Sequence, residues 1–276
     1  MRRTVRQWAA GAAALALMAL AASASAGDWR RPDPDNTLVV DTSKGRIVVE
    51  MRPEFAPKSV ERVKLLAREG VYDGLLIHRV LPAFAQTGNP NNRDGGVSSH
   101  PNLPPEFDFQ LPVEGGRTVV ARRSDGEAAF IGASPLLAMP WRGEMRAWGA
   151  YCAGVVGMGR QEAVDTSNSE IFFMSQPVRW LDHDYSVWGR VIVGLDVVRS
   201  LEQGVPPAHP DRMIRVRVAA DLPPADRPQI EVQDERGPAF RRDVEALERA
   251  KGAAFSVCDV EIKVRPAADA APSPAR

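Results

Sequence analysis

The chain has 276 residues, and its 35 lysine and arginine residues balance 35 aspartate and glutamate residues, so its formal net charge is zero. Hydrophobic residues make up 44% of the sequence and charged residues 25%, which is typical of globular proteins and excludes wholesale disorder. A neutral chain lacks the basic surface with which proteins bind nucleic acid or an anionic membrane, so we expect no nucleic-acid partner. Its length suffices for one or two domains with a sizeable core.

The N-terminus has the pattern of a secretory signal peptide. Arginines at positions 2, 3 and 6 precede an apolar run over residues 8–22, and the small residues Ala-Ser-Ala follow at 24–26. This order predicts a signal peptide over residues 1–26 and an exported protein, periplasmic or secreted. The alternative is a retained membrane anchor, but the run is shorter than the roughly 20 residues that a spanning helix needs. No later stretch is apolar enough to cross a membrane.

The chain has two cysteines, Cys152 and Cys258. In an oxidising compartment they can form a disulfide that closes a loop of about 106 residues and stabilises the protein by at most about 5 kcal/mol. The alternative is two buried thiols, because Cys258 alternates with Val260, Ile262 and Val264 on one apolar face of a predicted strand. The sequence leaves both alternatives open.

The first half of the chain predicts a β-rich domain. A polar lead-in over residues 27–36 is followed by two β-prone runs, 38–42 and 46–51, which form a hairpin. The remaining predicted elements are a helix over 56–70, a strand over 77–80 and an Asn- and Gly-rich loop over 88–96. This loop has too few carboxylates for a calcium site.

The second half has a less regular pattern. Residues 108–150 contain short β-prone pieces without a clear period, so we expect an elaborated loop or an extra hairpin. Beyond them we predict strands over 154–158, 169–175, 185–193, 213–219 and 255–264, and helices over 194–204 and 240–251. Many short strands with few helices favour a closed β-barrel over an α/β sheet.

The predicted domain organisation follows from these elements. Residues 37–204 form the barrel, with 108–150 as an insertion. Residues 205–265 form a helix–strand extension that packs on the barrel, and the Pro- and Ala-rich residues 266–276 form a disordered tail.

Three blocks of sequence carry the most specific pattern in the chain. The first is Lys-Gly-Arg-Ile-Val-Val-Glu at 44–50 with Ala-Pro at 56–57, and the second is Tyr-Asp-Gly at 72–74 with Ile-His-Arg-Val-Leu-Pro-Ala-Phe at 77–84 and Gln-Thr-Gly-Asn-Pro at 86–90. The third combines residues 157–160, 168–173, 180–182 and 187–191. Together, over residues 37–107 and 150–204, they resemble the cyclophilin-type peptidyl-prolyl cis–trans isomerases.

The resemblance implies a mainly β fold, a closed antiparallel eight-stranded barrel capped by two helices, which binds proline-containing polypeptides on its outside. It implies an isomerase that works as a monomer without a cofactor or a metal ion. It identifies Arg79 as the catalytic residue. The substrate-binding residues that it implies are Phe84, Gln86, Met158, Gly159, Arg160, Glu170, Phe172, Trp180, Leu181 and Tyr185. In this interpretation Phe84 and Phe172 form the walls of a proline pocket.

The chemistry of the reaction fits these residue types. Rotation about an X-Pro bond is opposed by amide resonance, with a barrier of about 18–20 kcal/mol. In the twisted amide the proline nitrogen becomes pyramidal and basic, and a guanidinium can donate a hydrogen bond to it. Since the planar amide gains nothing from that bond, the donor lowers the barrier. A hydrolase would need a nucleophile beside a base, and the sequence shows no such pair.

Three departures from the family pattern leave turnover open. Only Ala85 separates Phe84 from Gln86, where the family usually has two residues, so either a residue is deleted or Thr87 takes the place of the glutamine. Glu170 replaces a second glutamine and can pair with Arg79. Tyr185 stands where many members have histidine. The alternative function is therefore a catalytically weak binding or chaperone module for proline-containing segments.

Two histidines invite a metal interpretation that the sequence does not favour. His183 lies between Asp182 and Asp184, but three consecutive residues of an extended chain cannot all face one ion. His78 alternates away from Arg79 along the predicted strand, and we expect it to be a packed or capping residue.

Overall fold

The structure, a computed structural model, describes residues 27–268. The predicted signal peptide and residues 269–276 of the predicted tail lie outside the described residues. No helix within residues 27–268 has both the length and the apolar character needed to cross a bilayer.

The described chain folds into strands and short helices. The α-helices are α1 (Pro57–Arg68), α2 (Leu195–Arg199) and α3 (Pro238–Lys251). The strands are β1 (Trp29–Arg30), β2 (Thr37–Thr42), β3 (Gly45–Met51), β4 (Arg79–Leu81), β5 (Phe84–Thr87), β6 (Phe109–Leu111), β7 (Thr118–Arg123), β8 (Gly126–Ile131), β9 (Ser134–Trp141), β10 (Glu144–Gly149), β11 (Val155–Met158), β12 (Ile171–Met174), β13 (Val187–Val193), β14 (Met213–Val218), β15 (Ile230–Gln233) and β16 (Val264–Pro266).

Eight strands form the main antiparallel sheet, in the order β14-β2-β3-β13-β11-β12-β5-β4. This confirms a mainly β fold. Strands β14 and β4 are the two edges of the sheet, and the segments just before them meet through the isolated bridge between Leu76 and Arg212. The predicted barrel, closed by continuous strand pairing, is therefore not confirmed.

The central strands of the main sheet are buried on both faces, and alternate positions share one core. In β2 and β3 the side chains of Leu38, Val40, Ile47 and Val49 are at most 1% exposed and lie in one core cluster. Helix α1 covers this cluster with Val60, Val63 and Ala67, the three residues that the sequence places on its buried face. Full burial of a valine, leucine or isoleucine side chain contributes about 1.5–3 kcal/mol to the free energy of unfolding.

Residues 108–150 form a second sheet, so the expectation of a loop or a single hairpin is wrong. Strands β6, β10, β9, β8 and β7 pair in that order, all antiparallel. The reason for the error is the composition of its buried face, since Ala129, Ala138 and Ala147 are at most 1% exposed. Alanine is a poor strand signal, and an alanine-lined face does not produce a clear alternation of apolar and polar residues.

Strands near both ends of the described residues form a third sheet with the order β1-β15-β16. Part of the predicted lead-in is thus strand β1, and Pro266 belongs to β16 rather than to a tail. The predicted strand over 255–264 is wrong. A capping box at Ser256, in which its side chain accepts from the Cys258 N–H and Asp259 accepts from the Ser256 N–H, starts a 3-10 turn there instead.

A disulfide joins Cys152 to Cys258, with the two Cα atoms 4.9 Å apart. The sequence allowed either this disulfide or two buried thiols, and the structure has the disulfide. Cys152 is fully buried in the second core cluster, which also contains Phe172 of β12, Phe130 of β8 and Phe240 of α3. One apolar core therefore supports the insertion, the C-terminal extension and the outer face of the main sheet, where the candidate site lies.

Candidate active site

Two adjacent strands at the edge of the main sheet position the central pair of the site. Arg79 of β4 lies directly opposite Gln86 of β5. Along β5, Gln86 contributes to the outer face, whereas Thr87 is fully buried and donates a hydrogen bond to the Leu76 carbonyl oxygen at 2.9 Å. Since neighbouring strand residues point to opposite faces, Gln86 and not Thr87 faces the site, which resolves the alternative that the sequence left open.

The Arg79 guanidinium is held from two sides. Its Nη1 donates a hydrogen bond to Gln86 Oε1 at 3.1 Å, and its central carbon lies 5.2 Å from the centroid of the Phe84 ring. A guanidinium over an aromatic face is attracted by the ring quadrupole. Its Nε and Nη2 have no hydrogen-bond partner among the described residues.

An apolar recess adjoins Arg79. The Phe84 and Phe172 ring centroids are 6.0 Å apart, and the Tyr185 ring meets Phe172 edge-on at 5.6 Å. Leu181 is 6% exposed at the recess, and Trp180 is 76% exposed at its rim. The cavity formed by these residues and by Arg79 has a volume of about 520 Å³, enough for a short peptide segment with a proline ring.

A buried carboxylate lies beside Gln86. Glu170 accepts hydrogen bonds from Gln86 Nε2 and Asn89 Nδ2, and Gln86 Nε2 also donates to Asp94 Oδ1 at 3.2 Å. Burial raises the pKa of Glu170 to about 7, and the nearby Asp94 charge adds to this, while the Asn89 hydrogen bond and Arg79 oppose it. Glu170 forms no ion pair with Arg79; it orients Gln86, which in turn bonds Arg79.

Arg160 closes the polar end of the cavity. Its Nε and Nη2 donate to the Asp184 carbonyl and carboxylate oxygens at 3.0 and 2.7 Å, and its guanidinium lies 4.7 Å from the Tyr185 ring centroid. Its Nη1 donates to the carbonyl oxygens of Gln161 and Glu162. The side chain is thus fixed in place and supports Tyr185.

Two predicted substrate-binding residues do not line the cavity. The Met158 side chain is fully buried in the core cluster of the main sheet, so its predicted position at the recess is wrong. Because neighbouring strand residues point to opposite faces, Met158 of β11 points into the core of the main sheet. Phe172, the second residue of β12, points to the outer face. Gly159 donates its N–H to the Glu170 carbonyl oxygen at 2.8 Å, and a Cβ there would overlap the Glu170 carboxylate. Gly159 therefore makes room for Glu170.

This edge of the sheet thus combines a half-free guanidinium, an aromatic recess and a set of buried amide and carboxylate groups, with no nucleophile beside a base. The family model of the cyclophilin type peptidyl-prolyl cis-trans isomerases matches residues 37–219. The chain belongs to this family. Its enzyme class is that of the peptidyl-prolyl cis–trans isomerases.

Named relatives agree with this assignment. A probable peptidyl-prolyl cis-trans isomerase of Brucella suis is 29% identical over 206 residues, which cover 68% of this chain and 85% of the relative. The peptidyl-prolyl cis-trans isomerase ppi1 of Schizosaccharomyces pombe is 27% identical over 162 residues, covering 59% of this chain and 82% of that protein.

The crystal structure of cyclophilin AquaCyp293 from Hirschia baltica superimposes with a TM-score of 0.79 and 30% sequence identity. The match covers 88% of this chain and 96% of that one. Because this coverage is larger than residues 37–219, the likeness includes segments outside the family-model match.

Sequence reasoning missed three residues of this cyclophilin site. Asp94 lines the cavity, Asn89 holds Glu170, and His78 Nε2 lies 3.2 Å from Asp94 Oδ1. The interpretation of 88–96 as an ordinary loop hid Asn89 and Asp94. The available signal was the amide of Asn89 and the carboxylate of Asp94 in the loop that follows the strand carrying Gln86. His78, Asp94 and Glu170 are also the described residues that can hold a metal ion together.

Proposed function

We propose that this cyclophilin catalyses the rotation of X-Pro bonds in exported polypeptides and that Arg79 is its electrostatic catalyst. The observation that carries the proposal is the position of the Arg79 guanidinium, 5.2 Å from the Phe84 ring at the mouth of the aromatic recess. A proline ring in that recess brings its nitrogen to the guanidinium. No bond is broken in the reaction, so the site needs only to favour the twisted amide.

The free donors of Arg79 supply that preference. In the twisted state the proline nitrogen has a lone pair that can accept a hydrogen bond, whereas in the planar state resonance delocalises it. An interaction made only in the transition state raises kcat. Removing one such donor from an enzyme costs about 10²–10³ in kcat, and this is the effect that we expect for Arg79.

The aromatic recess supplies binding. Phe84, Phe172, Leu181 and Tyr185 present apolar surface to the proline ring, and the exposed Trp180 extends it at the rim. Arg160 is held by Asp184 and stacks on Tyr185. The walls are therefore preorganised, which reduces the entropy lost when a peptide binds.

Two observations support an exported location. Residues 1–26 have the charge and hydrophobicity pattern of a signal peptide, although they lie outside the described residues. Cys152 and Cys258 form a disulfide, and disulfides persist mainly in oxidising compartments such as the bacterial periplasm. We propose a periplasmic or secreted isomerase whose substrates are other exported chains.

The test is exchange NMR on a short Pro-containing peptide, which measures isomerisation without a coupled protease. Wild-type protein is expected to broaden the cis and trans signals, and the Arg79→Ala variant is expected to lose most of this effect with an unchanged thermal transition. Arg249→Ala, on an exposed face of α3, is the matched control and should behave as wild type. Equal exchange rates in Arg79→Ala and wild type would refute the catalytic role.

A second candidate function is a binding or chaperone module with weak turnover. The observation that favours it is the saturation of Gln86, whose oxygen bonds Arg79 and whose amide nitrogen bonds Asp94 and Glu170. In this state Gln86 has little left for the backbone of a peptide. Saturable peptide binding with no acceleration of exchange, or with only slight acceleration at saturating protein, would select this candidate. Strong acceleration that is lost in Arg79→Ala would exclude it.

A further inference from the structure

Behind Arg79, three metal-ligating side chains converge on one spot. One ligand atom each from His78, Asp94 and Glu170 lies within 4.8 Å of the other two, and His78 Nε2 is 3.2 Å from Asp94 Oδ1. His78 and Glu170 are 4% and 8% exposed, whereas the Asp94 side chain is 58% exposed. The cluster therefore has two fixed, buried ligands and an opening to solvent. His78 is thus a packed residue, as the sequence predicts, and its ring also faces Asp94.

The side-chain amide of Gln86 lies between the carboxylates of Asp94 and Glu170, a position that suits a cation. Gln86 Nε2 donates to both Asp94 Oδ1 and Glu170 Oε1, so its NH₂ group lies between the two carboxylates. It offers only partial positive charge against two acidic groups.

The neighbouring Asn89 adds an independent observation. It is completely buried, and its Nδ2 donates to Glu170 Oε2 and to the Arg93 carbonyl oxygen, but its Oδ1 has no hydrogen-bond partner among residues 27–268. A buried acceptor without a protein partner is uncommon, and this one lies on the side chain that holds Glu170. The surroundings of Glu170 are thus rich in oxygen acceptors, and Arg79 is the guanidinium whose charge acts on them.

We propose that His78, Asp94 and Glu170 bind a divalent transition-metal ion. The Gln86 side-chain amide turns over in this state, so that Oε1 faces the ion as a fourth ligand and the NH₂ group faces away from it. An imidazole nitrogen with carboxylate and amide oxygens suits Zn²⁺ or Co²⁺, whereas Mg²⁺ and Ca²⁺ favour sites made of oxygen ligands alone. The solvent-exposed Asp94 provides the entry path.

Metal binding would reach the isomerase site through Gln86. In the structure Gln86 Oε1 accepts a hydrogen bond from Arg79 Nη1. When the amide turns over, this acceptor is withdrawn and a donor group takes its place beside the guanidinium. Arg79 then loses the contact that orients it, so the ion acts as an inhibitor. Only this consequence rests on the proposed function; the binding itself does not.

The binding experiment uses the full mature chain without an affinity tag and after chelator treatment. Calorimetric titration with Zn²⁺ is expected to show one saturable site, and Co²⁺ should give the visible absorption bands of an ion with nitrogen and oxygen ligands. A large excess of Mg²⁺ should not displace Co²⁺. Asp94→Asn, a change at an exposed side chain, and His78→Gln should each weaken binding at least about tenfold.

Single variants of the other histidines are the matched controls. His100→Ala, His183→Ala and His209→Ala should retain the wild-type affinity. The proposal is overturned if wild-type protein shows no saturable Zn²⁺ or Co²⁺ site, or if Asp94→Asn binds as tightly as wild type. Asp94→Asn decides the question even where His78→Gln does not fold.

The effect on turnover is a separate readout. Adding Zn²⁺ to the wild-type protein is expected to slow peptide exchange. In Asp94→Asn, the exchange rates with and without the same Zn²⁺ concentration should agree. Binding without slower exchange would contradict the turning of Gln86. A metal-free wild type without any exchange activity would refute the proposed function and leave the metal-binding result standing.

Discussion

Gln86 lies opposite Arg79 across two antiparallel strands, and its Oε1 accepts a hydrogen bond from Arg79 Nη1 at 3.1 Å. The same side chain is anchored on its other end by the buried Glu170. Gln86 therefore connects a buried carboxylate to the guanidinium, and we expect it to act as a positioning residue for Arg79.

Replacing Gln86 tests this relationship. Gln86→Ala removes the acceptor that orients Arg79, and hydrogen bonds to charged groups contribute about 1.5–3 kcal/mol, so kcat should fall roughly tenfold to hundredfold. Exchange NMR at saturating peptide measures this. Gln161→Ala, in an exposed residue at the same cavity, is the control. If Gln86→Ala keeps the wild-type kcat, Gln86 does not position Arg79.

Trp180 is expected to contribute to peptide binding and not to stability. It is 76% exposed at the rim of the recess, so Trp180→Ala should change the free energy of unfolding by less than about 0.5 kcal/mol and should weaken peptide binding severalfold. Fluorescence and calorimetric titration check the affinity, and urea unfolding checks the stability. Trp141→Ala, at an exposed tryptophan that does not line this cavity, should alter neither property.

The disulfide is expected to stabilise the fold rather than to take part in turnover. It joins positions that are 106 residues apart, and cross-links of long loops typically contribute about 2–4 kcal/mol. The double variant Cys152→Ser/Cys258→Ser should therefore unfold at a lower urea concentration. A reductant should lower the midpoint of wild-type protein by a similar amount and leave the midpoint of the double variant unchanged. An unshifted midpoint in the double variant would contradict this.

Glu50 is expected to make stability depend on acid. Burial acts to raise the pKa of its carboxyl, but the Arg52 and Arg30 guanidinium groups outweigh burial and lower the pKa to about 2. A carboxyl with a lowered pKa in the folded state stabilises the fold above its unfolded value of about 4.5, and this contribution is lost as the pH falls towards about 2. The loss amounts to roughly 3 kcal/mol.

Urea unfolding between neutral and acid pH measures the dependence on Glu50. Glu50→Gln should be less stable at pH 7, since it removes the buried carboxylate that pairs with Arg30 and Arg52. It should also show a flatter decline on acidification. Glu245→Gln, at a side chain that is 53% exposed and does not contact Arg30 or Arg52, is the control and should follow the wild-type curve. Parallel curves for Glu50→Gln and wild type would show that Glu50 does not carry the acid sensitivity.

The parts of the site that the sequence predicted are those that depend on local pattern. Arg79, Phe84 and Gln86 lie on two short strands, and alternation within each strand determines which face a side chain occupies. The same rule, applied to β11, would have placed Met158 in the core, where the structure has it. That error came from the family resemblance and not from the residue pattern.

The parts that the sequence did not predict depend on contacts between distant segments. The sequence suggests that Glu170 can pair with Arg79, but its carboxylate accepts hydrogen bonds from Gln86 and Asn89. The register of β12 against β5 pairs Phe172 with Gln86, and Glu170 lies just before β12. No local pattern determines such a register. The insertion was missed for another reason, since its core contains alanines such as Ala129 and Ala138, whose burial leaves no strong hydrophobic period.

The measurement that tests the central claim most directly is peptide exchange with Arg79→Lys, together with the affinity of the same variant for the same peptide. Lysine keeps the positive charge but lacks the planar fork of donors. If Arg79 stabilises the twisted amide, kcat should fall by about 10²–10³ while the dissociation constant stays within about threefold of wild type. A variant with wild-type kcat would contradict the role of Arg79 as the electrostatic catalyst.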